Sequence, residues 1–108
     1  MKIAIPYEAG QVFQHFGHSP AFMVYEVEAG KVVSSALLPT NGSGHGALAG
    51  LLAANQVNAL VCGGIGGGAR TALAQAGVQL YPGVSRLADA AVDALLAGNL
   101  GYNPTTVC

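Results

Sequence analysis

The sequence predicts one α/β domain: a mixed five-stranded sheet in the order βββαβαβα, with helices packed on it. Three observations carry this. Apolar and alternating runs of strand length come first and are joined by tight turns. Helical stretches then alternate with short buried runs, the pattern of parallel crossovers. The length of 108 residues fits a single core. Residues 1–100 read as this one domain and 101–108 as a C-terminal tail.

Lys2–Pro6 is a short apolar run, a buried first strand closed by Pro6. Tyr7–Pro20 has turn residues and no helical period, so it reads as a loop. Ala21–Glu28 alternates and carries Phe, Val and Tyr, as a second strand should. Ala29-Gly30 is a two-residue hairpin signal, and Lys31–Leu38 is the third strand, closed by Pro39. The loop Thr40–Gly46 leads into a helix with Leu48, Leu51 and Leu52 on one face. Ala59–Cys62 is a buried fourth strand, followed by the glycine-rich turn Gly63–Gly68. The next helix sets Ala69, Ala72, Leu73 and Ala76 on one face and stops at Gly77. Val78–Tyr81 is a fifth strand, and Pro82-Gly83 a turn. Ser85 is placed to cap a third helix, with Leu87, Ala88, Ala91, Val92, Leu95 and Leu96 inward and Gly98 as its stop.

Composition narrows the function. Net charge is −1, and Lys2, Lys31, Arg70 and Arg86 form no stripe, so nothing recruits nucleic acid or a membrane surface. The apolar stretch Leu48–Ala54 is too short to span a bilayer. The N-terminus reads directly as a strand and not as a signal peptide. The two cysteines, Cys62 and Cys108, do not suggest a secreted disulfide framework. Cytoplasm is the expectation. Charged residues are only 8% of the chain, and none lies between Lys31 and Arg70. A neutral surface of that kind suits another subunit, such as a second copy, or a solvated face of Ser, Thr, Asn and Gly.

Two loops carry candidate chemistry. Gly63–Gly68 joins a buried strand to a helix, and Gly64, Gly66 and Ala69 fit a G-x-G-x-x-G/A spacing. Such a loop offers backbone N–H groups beside a positive helix end, which suits an anion. Gly64, Gly66, Gly67 and Arg70 are the candidate cradle. As a dinucleotide fingerprint the match is poor, since only one strand and one helix follow and no acid ends the fifth strand. Close helix–strand packing through small residues is the competing reading. The second loop is His15-Phe16-Gly17-His18, joined by His45 in Gly44-His45-Gly46. Two imidazoles three apart in a loop can reach one metal, with His45 as a third ligand. Each alone is as well read as a surface histidine. Cys62 ends a strand near the same sheet end, and alone it reads as a small buried hydrophobe. A nuclease is excluded by chemistry: the first strand offers Ile3, Ala4 and Ile5, and Glu8, Glu26, Glu28, Asp89 and Asp93 do not converge. No catalytic triad is present, so a binding module is expected rather than an enzyme.

The chain resembles the dinitrogenase iron–molybdenum cofactor biosynthesis family, also called nitrogenase accessory factor-like domains. The resemblance rests on Met1–Pro6, His15-Phe16-Gly17-His18-Ser19-Pro20, Tyr25–Val33 and Gly63-Gly64-Ile65-Gly66. Ala76-Gly77-Val78, Tyr81-Pro82-Gly83 and Tyr102-Asn103-Pro104 add to it. It implies a ribonuclease H-like sheet without nuclease carboxylates. It also implies binding of an iron–sulfur or iron–molybdenum type cluster, or its precursor, with donor and acceptor proteins as partners. By position His15 matches the family's His-Phe-Gly histidine. His18 stands where relatives often carry Arg or another polar residue, and His45 where many carry His or Cys. The loop Thr40–Gly46 lacks the cysteines of some relatives, and the sequence ends at Cys108 without a Cys/His-rich tail. The alternatives are a phosphate- or nucleotide-binding module using the glycine loop, or a metal-free interaction domain working through the charge-free stretch Val32–Ala69.

Overall fold

The computed structural model describes residues 1–41 and 45–104, with only the backbone of residues 45 and 46. Its elements are β1 (Lys2–Glu8), β2 (Gln11–Val12), a 3-10 turn (Phe16–His18), β3 (Ala21–Glu28), β4 (Lys31–Pro39), α1 (His45–Ala54), β5 (Ala59–Val61), α2 (Gly67–Gln75), β6 (Gln79–Tyr81) and α3 (Ala88–Ala97). The sheet runs β4-β3-β1-β5-β6, with β2 paired to β1. β1, β3 and β4 are antiparallel, whereas β1, β5 and β6 are parallel. The mixed sheet and three helices agree with the sequence reading.

Period-2 alternation sorts the side chains into two cores. Ala4, Phe22, Leu60 and Cys62 face α1 and α2, where Leu48, Leu52, Ala69 and Leu73 close over them. Ile3, Ile5, Tyr25, Val27, Ala59 and Val61 face α3, meeting Ala88, Ala91 and Val92. The Tyr25 hydroxyl donates to the Asp89 carboxylate at 2.8 Å, tying β3 to α3.

Four expectations are corrected. The sheet has a sixth strand, because Tyr7–Pro20 holds β2 and the 3-10 turn. Pro6 does not end β1. Its carbonyl accepts from the Phe13 N–H at 2.8 Å, so its nitrogen also faces away from β3, on a side where the β5 ladder has already stopped at Ala4–Leu60. The missing N–H therefore breaks no ladder bond. The overlooked signal is a repeat: Glu8-Ala9-Gly10-Gln11 and Glu28-Ala29-Gly30-Lys31 are both two-residue hairpins, with Ala at φ 52° and Gly at φ 83° and 76°. Both central residues lie at positive φ, the turn that matches strand twist. Third, α3 begins at Ala88 rather than after a Ser85 cap, and Leu87, expected inward, is 57% exposed at the N-cap. Ala88 N–H instead donates to the Gly10 carbonyl at 2.9 Å, so the β1–β2 hairpin sets where α3 starts. Ala76, expected inward on α2, is its exposed C-cap.

Burial, and then the Asp89 hydrogen bond, raise the Tyr25 phenol above its ordinary value of 10. Its folded-state preference for the neutral form is fully present below pH 10 and is lost as pH rises beyond it. Tyr25→Phe should cost about 1 kcal/mol near neutral pH. Denaturation followed into alkaline pH should show a smaller fall in stability for the variant than for the wild type.

Candidate functional site

The two loops singled out in the sequence meet at the carboxyl end of the parallel strands, where open α/β sheets place ligands. The contact is main chain to main chain. Gly64 N–H donates to the Gln14 carbonyl at 2.7 Å, and Phe16 N–H donates to the Gly64 carbonyl at 3.1 Å. His15 and Gly64 thereby form a parallel bridge. Gly63 makes the approach possible. A Cβ there would lie 2.9 Å from the Gln14 Cα and closer still to its side chain. The Gln14 amide then locks the junction, donating to the carbonyls of Val12 at 3.0 Å and Val84 at 3.1 Å.

Each loop hangs from one buried apolar residue. Phe16 is fully buried and packs against Phe22, ring centroids 5.8 Å apart. That anchor leaves His15 and His18 on the outside. His18 N–H donates to the His15 carbonyl at 2.9 Å, closing a 3-10 turn that stacks positions 15 and 18. The Ser19 hydroxyl donates to the Phe16 carbonyl at 2.6 Å, and buried Thr40 donates to the Ser19 carbonyl at 2.7 Å. Ile65, also fully buried, plays the Phe16 part in the glycine loop. A cleft of about 370 Å³ runs beside this junction, lined by Glu8, Gln11, Phe13, Gln14 and His15.

Beyond Ile65 the chain opens. Gly66 is the N-cap of α2 and supplies no side-chain acceptor. The first N–H groups of a helix have no intrahelical carbonyl, so Gly67, Gly68 and Ala69 present theirs at the helix end. A Cβ at Gly66, Gly67 or Gly68 would meet nothing within 4 Å. Among the described residues, nothing fills the space above this stretch. Ala69 is buried against the core, as the packing reading of the third motif position requires. Arg70 belongs to the first turn of α2, and its Nη1 donates to the Pro104 carbonyl at 2.9 Å. The predicted tail thus lies against this end of the sheet: Asn103 N–H donates to the Pro82 carbonyl at 2.8 Å, and the Tyr102 ring stands edge-on to Tyr81.

The structure joins the His15 backbone to that of Gly64, and His18 is tied to this junction only through its N–H bond to the His15 carbonyl. The His45 backbone opens α1, but its side chain lies outside the described residues. Among the described residues no three His, Cys, Asp or Glu side chains converge on a metal position. Cys62 is fully buried in the α1–α2 core, and burial pushes its thiol up to about 12, a shift the nearby Arg70 charge only partly opposes. A neutral thiol of this kind is a packing group rather than a ligand.

The model of the dinitrogenase iron–molybdenum cofactor family matches residues 1–98. The chain belongs to that family. An uncharacterised protein of Methanocaldococcus jannaschii is 31% identical to it, over 93% of this chain and 89% of that protein. Among solved structures, PH0822 superposes with a TM-score of 0.90 at 24% identity, covering 97% of this chain and 96% of the other. The apo form of the orange protein from Desulfovibrio gigas superposes with a TM-score of 0.82 at 24% identity, covering 95% and 92%. At these identities the structural likeness is one of fold. Family membership connects the chain to metallocofactor processes.

Thr40, Ser19 and Gln14 are the site residues that the sequence reading missed. Ser19 before Pro20 had a local turn signal. Thr40 and Gln14 act across 20 residues or more, on Pro20 and Val84, and left no local pattern.

Gly63→Ala should cost about 1–3 kcal/mol, as overpacking does, while Gly66→Ala should be near neutral for stability. Urea melts of the two variants check this contrast. Cys62 should resist a thiol-specific reagent in the native protein at mildly alkaline pH and react only at the rate of unfolding. The Cys108→Ser background isolates that signal.

Proposed function

We propose that this protein carries an iron–sulfur or iron–molybdenum type cluster, or a precursor of one, between a donor and an acceptor protein in the cytoplasm, with no turnover of its own. The observation that carries the reading is the main-chain junction of the His15 loop with the glycine loop. It puts the His15 loop, by its main chain, beside the loop that opens α2. Metal–sulfide species bound as cargo are commonly anionic, and Gly66, Gly67 and the first turn of α2 offer partial positive charge without a bulky side chain, whereas the Gly64 N–H expected to join them is already given to the Gln14 carbonyl. His15 and His18 are the candidate imidazole ligands for an exposed metal, and His45 is the candidate third. Open placement suits cargo that must leave again. No helix among the described residues is long and apolar enough to cross a membrane.

A second reading, a phosphate-bearing small ligand held without metal, is favoured by one observation: no three metal-ligating side chains converge among the described residues. Anaerobic reconstitution with iron, sulfide and molybdate separates the two. The carrier reading expects stoichiometric metal with charge-transfer absorption, reduced at least tenfold in occupancy by His15→Ala. A protein that takes up no metal, yet is stabilised by inorganic phosphate irrespective of His15, would replace it with the second reading.

A further inference from the structure

β4 is the edge of the sheet. Among the described residues it pairs only with β3, and all but one of its nine residues are exposed. Every second residue of such a strand turns its N–H and C=O outward, a ready template for another strand. Edges are ordinarily blunted by inward or central charges, yet Val32–Pro39 has none. The register slips between Glu26–Ser34 and Val27–Val32, leaving Val33 as the extra residue of a bulge. Val32 and Val33 therefore share the α3 face with Ser35 and Leu37. Val32, Val33 and Leu37 are 37%, 54% and 55% exposed, half of the six large apolar side chains most open to solvent among the described residues. Grooves flank the strand on both sides, about 280 Å³ beside Ser34, Ala36 and Asn55 and about 480 Å³ beside Lys31, Asp93 and Leu96.

We infer that β4 pairs antiparallel with β4 of a second copy, joining two sheets into one across a two-fold axis at Ser35. Self-pairing is favoured by the strand's own pattern. With Ser35 against Ser35, Leu37 of one copy faces Val33 of the other, twice, on one face of the joined sheet. The single charge, Lys31, falls opposite Pro39. The two Lys31 side chains then stand ~27 Å apart, eight residues at ~3.4 Å each and beyond the screening length of ~8 Å. A net charge of −1 per chain leaves little long-range repulsion between copies. Nothing charged on Val32–Pro39 selects a foreign partner. The face lies across the sheet from β6 and the glycine loop that follows β5, so the pairing leaves that opening uncovered.

Sedimentation velocity over a concentration series tests this, with circular dichroism and thermal melts as folding controls. The wild type should become dimeric as concentration rises. Leu37→Lys and Val33→Lys should remain monomeric and melt like the wild type at concentrations where it too is monomeric, because both positions are solvent-facing in one copy. Leu87→Lys, equally exposed but on another element, should dimerise like the wild type. In a Cys108→Ser background, Ser35→Cys should form a reducible dimer under mild oxidation. A wild-type monomer at all concentrations, or a dimer that survives Leu37→Lys, overturns the proposal, as does a dimer in which Ser35→Cys fails to cross-link. None of these outcomes depends on cluster binding.

Discussion

The close approach of Gln14 to Gly63 is the constraint on which the site depends. Two segments far apart in the chain run side by side at the end of the sheet, close enough for Gly64 to exchange main-chain hydrogen bonds with Gln14 and Phe16. No Cβ fits at residue 63. The same junction reaches the third segment of that end: Gly83 N–H donates to the Gly63 carbonyl at 3.0 Å, and Val84 N–H to the Cys62 carbonyl at 2.9 Å. The start of the glycine loop is thus held on both sides by backbone.

This arrangement divides labour between buried and exposed positions. Phe16 and Ile65 supply the hydrophobic anchoring, each worth roughly 1.5–3 kcal/mol of transfer free energy on full burial. Their neighbours are freed to face solvent with polar or minimal groups. Buried Thr40 gives the Ser19 carbonyl a donor, and the Ser19 hydroxyl adds a second bond to the Phe16 carbonyl beside that of its own N–H. The outcome is a preorganised rim on a chain with little charge elsewhere. Preorganisation of that kind lowers the ordering cost of binding.

Much of this was legible in the sequence. The strand order after residue 20, the crossover half and the pairing of Ala29-Gly30 with a hairpin follow from period and turn chemistry. The His-Phe-Gly-His and glycine motifs were recognisable as loops with exposed donors. The β1–β2 hairpin was missed because Pro6 reads locally as a strand end, and only the sheet shows that its nitrogen faces no ladder. The start of α3 was missed for a similar reason: a backbone bond from Gly10 replaces the side-chain cap that Ser85 seemed to offer. That the two motifs touch was beyond any local signal. It rests on a clearance at Gly63 that only the assembled sheet defines.

The central claim is that both loops form one binding surface for a metal–sulfide anion. Amide chemical shifts followed by NMR during titration with tetrathiomolybdate test it most directly. The account predicts that Phe16, Gly17 and His18 shift together with Gly64 and Gly66–Arg70, along a single binding curve. Shifts confined to Gly66–Arg70, with His15 and His18 unmoved, would contradict it and leave a helix-end anion site without metal ligation.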